Sequence, residues 1–244
     1  MPGRIDDYDR GAAEGVRFEA LEKRLPRSLR RHLLHFEAAI EDAVRAFAAG
    51  LPEGARVLDA GAGECKHRPY FKGRRYTAVD SGVGDAAWDY GKLDALADLT
   101  WLPFANERFD ACLNVVTLEH VKDPAQVIRE IARSLTPGGR LLLIVPFEWE
   151  EHQQPHDYFR FTRYSLAYLL KKAGLEAESI KPVGGFFRLM SRRMFSALQF
   201  FPGPLIFIGA IFFVPPALLL PLLEPLDRQQ NFTLGYICSA RKSG

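Results

Sequence analysis

Cysteine is scarce in this chain. Three of 244 residues, Cys65, Cys112 and Cys238, are too few and too far apart for a disulfide framework or a zinc pattern. A sparse, odd set fits a reducing compartment, so a cytoplasmic location is expected. Net charge of one sign is also lacking: 32 Lys and Arg against 30 Asp and Glu leave +2. No basic run is interleaved with aromatics, so a nucleic-acid partner is excluded. The opening Met1-Pro-Gly-Arg-Ile-Asp-Asp has no apolar core, and no secretory signal is expected there. With 48% hydrophobic and 25% charged residues the chain is of the globular class.

What is present is an alternation of apolar runs and helical patterns. Residues 1 to about 25 are weakly patterned. Leu29, Leu33, Leu34, Phe36, Ile40, Val44 and Phe47 recur at helical spacing from Ser28 to Ala49, and Gly50 and Pro52 stop the helix. Strands follow at 56–59, 76–80, 109–116 and 140–146. Between the last two lies a helix over 124–135, with Asp123 as N-cap, Pro124 at N1 and Thr136-Pro-Gly-Gly as stop. A helix at 165–173 ends at Gly174, and strand-like runs lie at 177–182 and 232–240. Such alternation predicts a doubly wound α/β sheet, mainly parallel, with right-handed crossovers.

The first strand runs into Asp59-Ala-Gly-Ala-Gly63, and the second ends at Asp80. Glycines at such a turn let backbone approach a ligand closely at the carboxyl edge of the sheet. A dinucleotide fingerprint would need a third glycine where Lys66 stands, which disfavours a nicotinamide oxidoreductase.

The series Asp59-Ala-Gly-Ala-Gly, Asp80, Ala97-Asp-Leu99, Leu102-Pro-Phe104, Leu118-Glu-His-Val121, Arg129-Glu-Ile-Ala132 and Leu135-Thr-Pro-Gly-Gly-Arg-Leu141 resembles the class I S-adenosylmethionine-dependent methyltransferases of the methyltransferase-11-like group. The resemblance covers roughly residues 55–190 and includes His156-Asp-Tyr-Phe-Arg-Phe-Thr162. It implies a Rossmann-like doubly wound sheet, mostly parallel with an antiparallel last strand; the uncharged run before that strand is read from the sequence as an apolar helical insertion. With the helical pattern up to Ala49, an N-terminal helical extension is expected over 1–50 and the methyltransferase domain over 51–244, with 186–230 as the insertion. S-adenosyl-L-methionine is the implied cofactor. Gly61 and Gly63 would pass under its methionine part, and Asp59 would order the loop and the amino end. Asp80 would accept from both ribose hydroxyls. Asp98 and Leu99 would face the adenine, and Asn114 and Val115 would lie beneath the sulfonium. Asp98 starting a turn and Asn114 capping a strand are the plainer readings of the same residues. Cys65 stands where the family commonly has glycine.

Methyl transfer from a sulfonium needs alignment more than activation, with a base where the acceptor must lose a proton. His152 and His156 are the candidate bases. His120, Asp157, Tyr158 and Arg160 are candidate substrate contacts, although Asp157–Arg160 pairing and packing of Tyr158 and Phe161 would equally make a structural clasp. No metal is expected, because Pro155 interrupts the His152–His156 spacing and no third ligand is local.

Charge is missing altogether from Met194 to Leu223. The longest proline-free stretch, Leu205–Val214, makes about 15 Å of helix against about 30 Å of hydrocarbon. A re-entrant or hairpin insertion is expected, broken at Pro202-Gly-Pro204 and Pro215-Pro216. Arg188, Arg192 and Arg193, joined by Arg24, Arg27, Arg30 and Arg31, would meet anionic headgroups at the inner face of the membrane. The expected partners are a small-molecule or lipid-linked acceptor and a peripheral or monotopic membrane contact, with a substrate lid or a homodimer interface as the other uses of this surface. The rival to an enzyme is a non-catalytic binding module of the same fold, docking a membrane or a partner protein.

Overall fold

The computed structural model describes residues 27–84 and 88–244, so the expectation for residues 1 to about 25, with Arg24, lies outside it, as do the side chains of Arg27 and Arg30. The chain forms two compact units: one from residues up to Ala39 with Pro182–Leu234, the other from Ile40–Lys181 with Gly235–Gly244.

The larger unit is built on a seven-stranded sheet in the order β3-β2-β1-β4-β5-β7-β6. The strands are β1 (Arg56–Ala60), β2 (Arg75–Asp80), β3 (Ala95–Leu96), β4 (Phe109–Val115), β5 (Leu135–Pro146), β6 (Leu175–Val183) and β7 (Gly235–Lys242). β1 pairs in parallel with β2 and β4, and β4 with β5, whereas β7 runs antiparallel to β5 from Pro146↔Gly235 to Arg140↔Arg241. The sheet is therefore the expected one, last strand included. The two-residue β3 carries too little pattern to be seen in sequence. The Thr136-Pro-Gly-Gly stop is drawn into β5 as an irregularity: Phe109 pairs with Leu135, but Ala111 already pairs with Arg140.

Central strands are buried on both faces and so read as near-continuous apolar runs; Leu113, Leu141, Leu143 and Ile144 are wholly buried. The helix Pro124–Ser134 covers this core with Val127, Ile128 and Ile131. Asp123 Oδ1 accepts from Gln126 N–H at 2.9 Å, which caps it as the sequence implies. The helix Arg163–Lys172 adds Leu166 and Leu170, and Thr162 caps it by accepting from Ser165 N–H.

The helix expected from Ser28 to Ala49 is two, α1 (Arg27–Leu33) and α2 (His35–Ala49), which bend apart at Leu34. Leu33, Leu34 and Phe36 are all buried, more than the single stripe of a straight helix turns to one side. Numbering the helices Pro124–Ser134 and Arg163–Lys172 as α3 and α4, the smaller unit adds α5 (Phe186–Ser196) and α6 (Leu205–Leu219). Its core joins Leu33, Leu34, Phe195, Leu198 and Ala217 with Phe213, Val214 and Leu218 packed on it. Asp227 and Glu224 accept from the N–H groups of Phe186 and Arg188 and so satisfy the N-terminus of α5.

Two expectations fail in this unit. α6 breaks at Pro202-Gly-Pro204 as expected but runs straight through Pro215 and Pro216. Proline's fixed φ suits a helix; the cost is the lost N–H bonds. Neighbours compensate at the carboxyl end: Ser191 Oγ donates to Ala217 O, whose ordinary donor would be the N–H that Pro221 lacks, and His32 Nε2 contacts Leu218 O at 2.9 Å. The apolar helix is accordingly longer than the proline-free stretch. Leu205–Leu226, 22 residues of mean hydropathy 2.4 with only 17% of its most apolar window buried, is long and apolar enough to cross a membrane by length and composition. The second failure is Arg192, which is buried and pairs with Glu37 at 2.6 Å, so it does not face a headgroup layer.

Candidate active site

The glycine loop sits where β1 ends. Gly61 and Ala62 donate to Val79 O at 2.8 and 3.1 Å, and Gly63 donates to Asp80 Oδ2 at 2.9 Å. The loop is thereby stitched to the end of β2. Gly61 has φ +90°, and a Cβ there would meet Thr117 Cγ2 at 2.2 Å. Thr117 is held in that place by donating to Val115 O at 3.1 Å, with Gly61 O at 3.2 Å. A side chain is thus excluded twice, by conformation and by space. Cys65, in the family's glycine position, also adopts a left-handed conformation, φ +59°, and burial pushes its thiol pKa up. That thiol is not primed as a nucleophile.

Asp59 is 1% exposed. Its Oδ2 accepts from the Tyr76 hydroxyl, and its Oδ1 is buried without a partner. Burial pushes its pKa up to about 7, against the opposing pull of the Tyr76 hydrogen bond. Asp80 accepts from Gly63 and Gly82 N–H through different oxygens, which leaves each oxygen with further accepting capacity. Asn114 bridges strands: its Nδ2 donates to Ala60 O at 2.6 Å, while its Oδ1 is buried and unpartnered. Val115 and Leu99 are buried. Asp98 is exposed and its Oδ1 accepts from Thr100 N–H and Oγ1–H, the turn-starting arrangement. Asp59, Gly61, Gly63, Asp80 and Asn114 are therefore connected around the ends of β1, β2 and β4, and Asp98 stands in its own turn after β3.

A second group forms where β4 and β5 end. His120 and His152 meet edge to face with ring centroids 4.6 Å apart. Between them lies Glu119, wholly buried, with Oε1 3.6 Å from His120 Nε2 and 3.7 Å from His152 Nε2. Burial lowers the His120 pKa. It acts on His152 in the same sense but is outweighed by Glu119 and Glu150 O, so that pKa is raised. Asp157 is bound by Arg160 in a two-pronged pair, 2.6 and 2.7 Å, and accepts from His152 N–H at 2.9 Å. These contacts draw its pKa down although burial pushes it up. Tyr158 and Phe159 donate from their backbone N–H groups to Glu119 O, and His156 Nδ1 lies 3.0 Å from the exposed Tyr158 hydroxyl. Phe161 is buried in the main core. Much of the His156–Thr162 segment thus serves as a clasp, with His156 and Tyr158 at its open side. The sequence reads Glu119, with His120, as shaping the cofactor pocket; Tyr76 and Thr117 it passes over as site residues. Glu119 had one available signal, an acid set between Leu118 and His120 at a strand end.

The methyltransferase-domain family profile matches residues 58–143, from β1 into β5. The ubiquinone biosynthesis O-methyltransferase of Pseudomonas putida (strain W619) is 30% identical over 158 residues, 52% of this chain and 67% of that protein. This chain belongs to the class I S-adenosylmethionine-dependent methyltransferases. Another relative, demethylmenaquinone methyltransferase of Mycolicibacterium paratuberculosis, is 37% identical over 100 residues, 39% of this chain and 44% of that protein. The chain spans less than half the length of most of the curated relatives it matches first. Among solved structures, Burkholderia thailandensis 1,6-didemethyltoxoflavin-N1-methyltransferase with bound S-adenosylhomocysteine has a TM-score of 0.54 at 20% identity, covering 96% of this chain and 92% of that one. That likeness is one of fold.

S-adenosylmethionine, the cofactor of this family, suits the donor set on two observations. The orphaned Asp59 Oδ1 is a buried acceptor awaiting a donor, and Asp80 retains lone pairs beside a loop that admits no side chain at Gly61.

Proposed function

We propose that this protein transfers a methyl group from S-adenosylmethionine to a small, amphiphilic or lipid-linked acceptor at a membrane surface. The observation that carries the reading is the convergence of Asp59, Gly61, Gly63 and Asp80 at the ends of β1 and β2, with accepting capacity unspent on both carboxylates. Asp80 would hold the ribose hydroxyls and Asp59 the amino end. Asn114 and Val115 would floor the sulfonium region, and Asp98 and Leu99 would edge the adenine. The bound cofactor supplies an activated methyl group, and the chain supplies alignment, exclusion of water and acceptance of a proton. His156 and Tyr158 stand at the open side of the clasp and are the groups through which an acceptor's proton would leave. His152 has its Nε2 turned to Glu119 and is the weaker candidate.

The acceptor class draws support from two sides. Relatives are named for ubiquinone and demethylmenaquinone chemistry. Within the smaller unit, Phe207, Ile211 and Phe212 are each at least 70% exposed on one uncharged helix. A patch of that kind marks a membrane or partner surface. Since β6 and β7, which flank the insertion, are neighbours in one sheet, both its ends return to one side of a bilayer, and a re-entrant or in-plane seating follows.

Calorimetric titration with S-adenosylmethionine is the first test. Binding to the parent, weakened at least about tenfold in Asp80→Ala through loss of charge-assisted hydrogen bonds, is the expected result. No binding by the folded parent would overturn the reading. Labelled-methyl transfer onto the lipid fraction of a membrane extract then separates an enzyme from a binding module. For the surface, Phe207→Ser/Ile211→Ser/Phe212→Ser should abolish co-flotation with anionic liposomes while leaving the melting temperature within a few degrees. Equal flotation of both proteins would remove the membrane from the proposal.

A further inference from the structure

We infer that Glu119, His120 and His152 form a binding site for one divalent transition-metal ion of the zinc type, which orders the turn after β4 against the loop after β5. Among the described residues these three make a group whose ligand atoms lie within 4.8 Å of one another. They come from two separate segments and converge on one point. Glu119 is wholly buried, and neither of its carboxylate oxygens accepts a hydrogen bond. A buried, unpartnered carboxylate is costly, so its placement calls for a positive charge close by.

The two histidines are oriented to accept that charge. His120 Nδ1 lies 2.7 Å from His156 O. His152 Nδ1 lies 3.1 Å from Glu150 O and 3.4 Å from Asp157 Oδ2. Carbonyl and carboxylate oxygens only accept, so each Nδ1 carries the hydrogen, and each neutral ring presents an Nε2 lone pair. Both Nε2 atoms are buried and unpartnered, and both face Glu119 Oε1. Lone pairs turned toward a carboxylate repel it unless a proton or a metal ion lies between them; one proton serves one ring, whereas a metal ion serves both rings and the carboxylate at once. A histidine that donates through one nitrogen to a fixed oxygen and offers the other is the usual arrangement of a metal-ligating imidazole. Asp157, itself clamped by Arg160, sits behind His152 as the outer support of that arrangement.

The spacing agrees with the chemistry. Tetrahedral zinc bonds of about 2.0–2.1 Å separate neighbouring ligand atoms by about 3.4 Å. The two Glu119–histidine distances, 3.6 and 3.7 Å, need only a few tenths of an ångström of contraction, and the two imidazoles, whose ligand atoms lie within 4.8 Å of one another, draw together as the ion binds. Two imidazoles and one carboxylate favour zinc, ferrous or cobaltous ions; magnesium and calcium call for a shell of oxygens. Three protein ligands leave a coordination position open.

The proposal does not rest on the cofactor reading, and the test keeps the two apart by reading the metal directly. The full chain is stripped with chelator, dialysed and titrated with Co2+ at about pH 7.5, where free imidazole is mostly neutral. One equivalent of visible absorption, displaced by Zn2+ and unaffected by excess Mg2+, is expected, with a rise of several degrees in melting temperature at about a hundredfold excess over Kd. Glu119→Gln and His152→Asn should each weaken binding at least about tenfold, whereas His156→Asn keeps the full signal. Absence of cobalt absorption and of any zinc-dependent melting shift in the parent chain overturns the site, whatever the variants do. Unchanged cobalt affinity in Glu119→Gln overturns it as well, since the ion would then sit elsewhere. S-adenosylmethionine binding is measured on the same metal-free protein, so either proposal stands or falls alone.

Discussion

Gly61→Ala is the perturbation whose size the structure specifies most directly. The added Cβ lies 2.2 Å from Thr117 Cγ2, 2.4 Å from its Oγ1 and 2.7 Å from its Cβ, on a backbone with φ +90°. Left-handed backbone costs an L-residue about 1–2 kcal/mol. Overpacking by a methyl adds about 1–3 kcal/mol, because Thr117 is hydrogen-bonded in place and cannot swing away freely. The sum, about 2–5 kcal/mol, is measured by urea unfolding at constant m. The two parts separate in a double-mutant cycle. Thr117→Gly removes all three clashing atoms but leaves the conformational cost, so Gly61→Ala should cost about 1–3 kcal/mol less on that background than on the parent. Additivity within about 0.5 kcal/mol, or a cost of Gly61→Ala below about 1 kcal/mol, refutes the packing argument. Cofactor affinity should fall with stability in the single variant and recover in part in the double.

Asp59 should make stability depend on pH. Its folded pKa, about 7, lies above its ordinary 3.8, so the folded state binds more protons and stability falls as pH rises from about 4 through 7, by about 4 kcal/mol in all. In Asp59→Asn the parent-minus-variant difference in unfolding free energy should show that fall, and a flat difference between pH 4 and 8 would refute it. The subtraction also removes buried His67, whose pKa is lowered to about 3 by burial and whose contribution is lost in the opposite direction, as pH falls below about 6.5. Arg133→Met should cost about 2–3 kcal/mol by thermal or chemical unfolding: its guanidinium donates to Phe104 O and Leu102 O and pairs with Glu130, which itself accepts from Leu102 N–H. Asp157→Asn should loosen the loop after β5, seen as faster backbone hydrogen exchange at 150–160, with little change in the exchange of β4.

The parts legible in sequence are those set by short-range rules. Strands β1, β2, β4 and β5 announce themselves as apolar runs because both faces are covered. α3 carries its cap, its N1 proline and its stop between Asp123 and Gly139, and the glycine loop demands close backbone approach in any context. The functional reading followed from the same stretches. Where it misled, tertiary partners had overridden local rules. Pro215 and Pro216 stay helical because packing on α1 and α5 offsets the lost bonds, and Arg192 turns inward because Glu37 waits for it.

By itself, then, the sequence determined a doubly wound sheet with a glycine-and-acid edge, since periodicity and turn chemistry act over a few residues. Only the tertiary structure brought His152 beside Glu119 and His120, more than thirty residues earlier in the chain. Two strand ends had to become neighbours first. No local pattern encodes which buried carboxylate will face which imidazole, because that juxtaposition depends on sheet order, register and the carbonyl that fixes each ring.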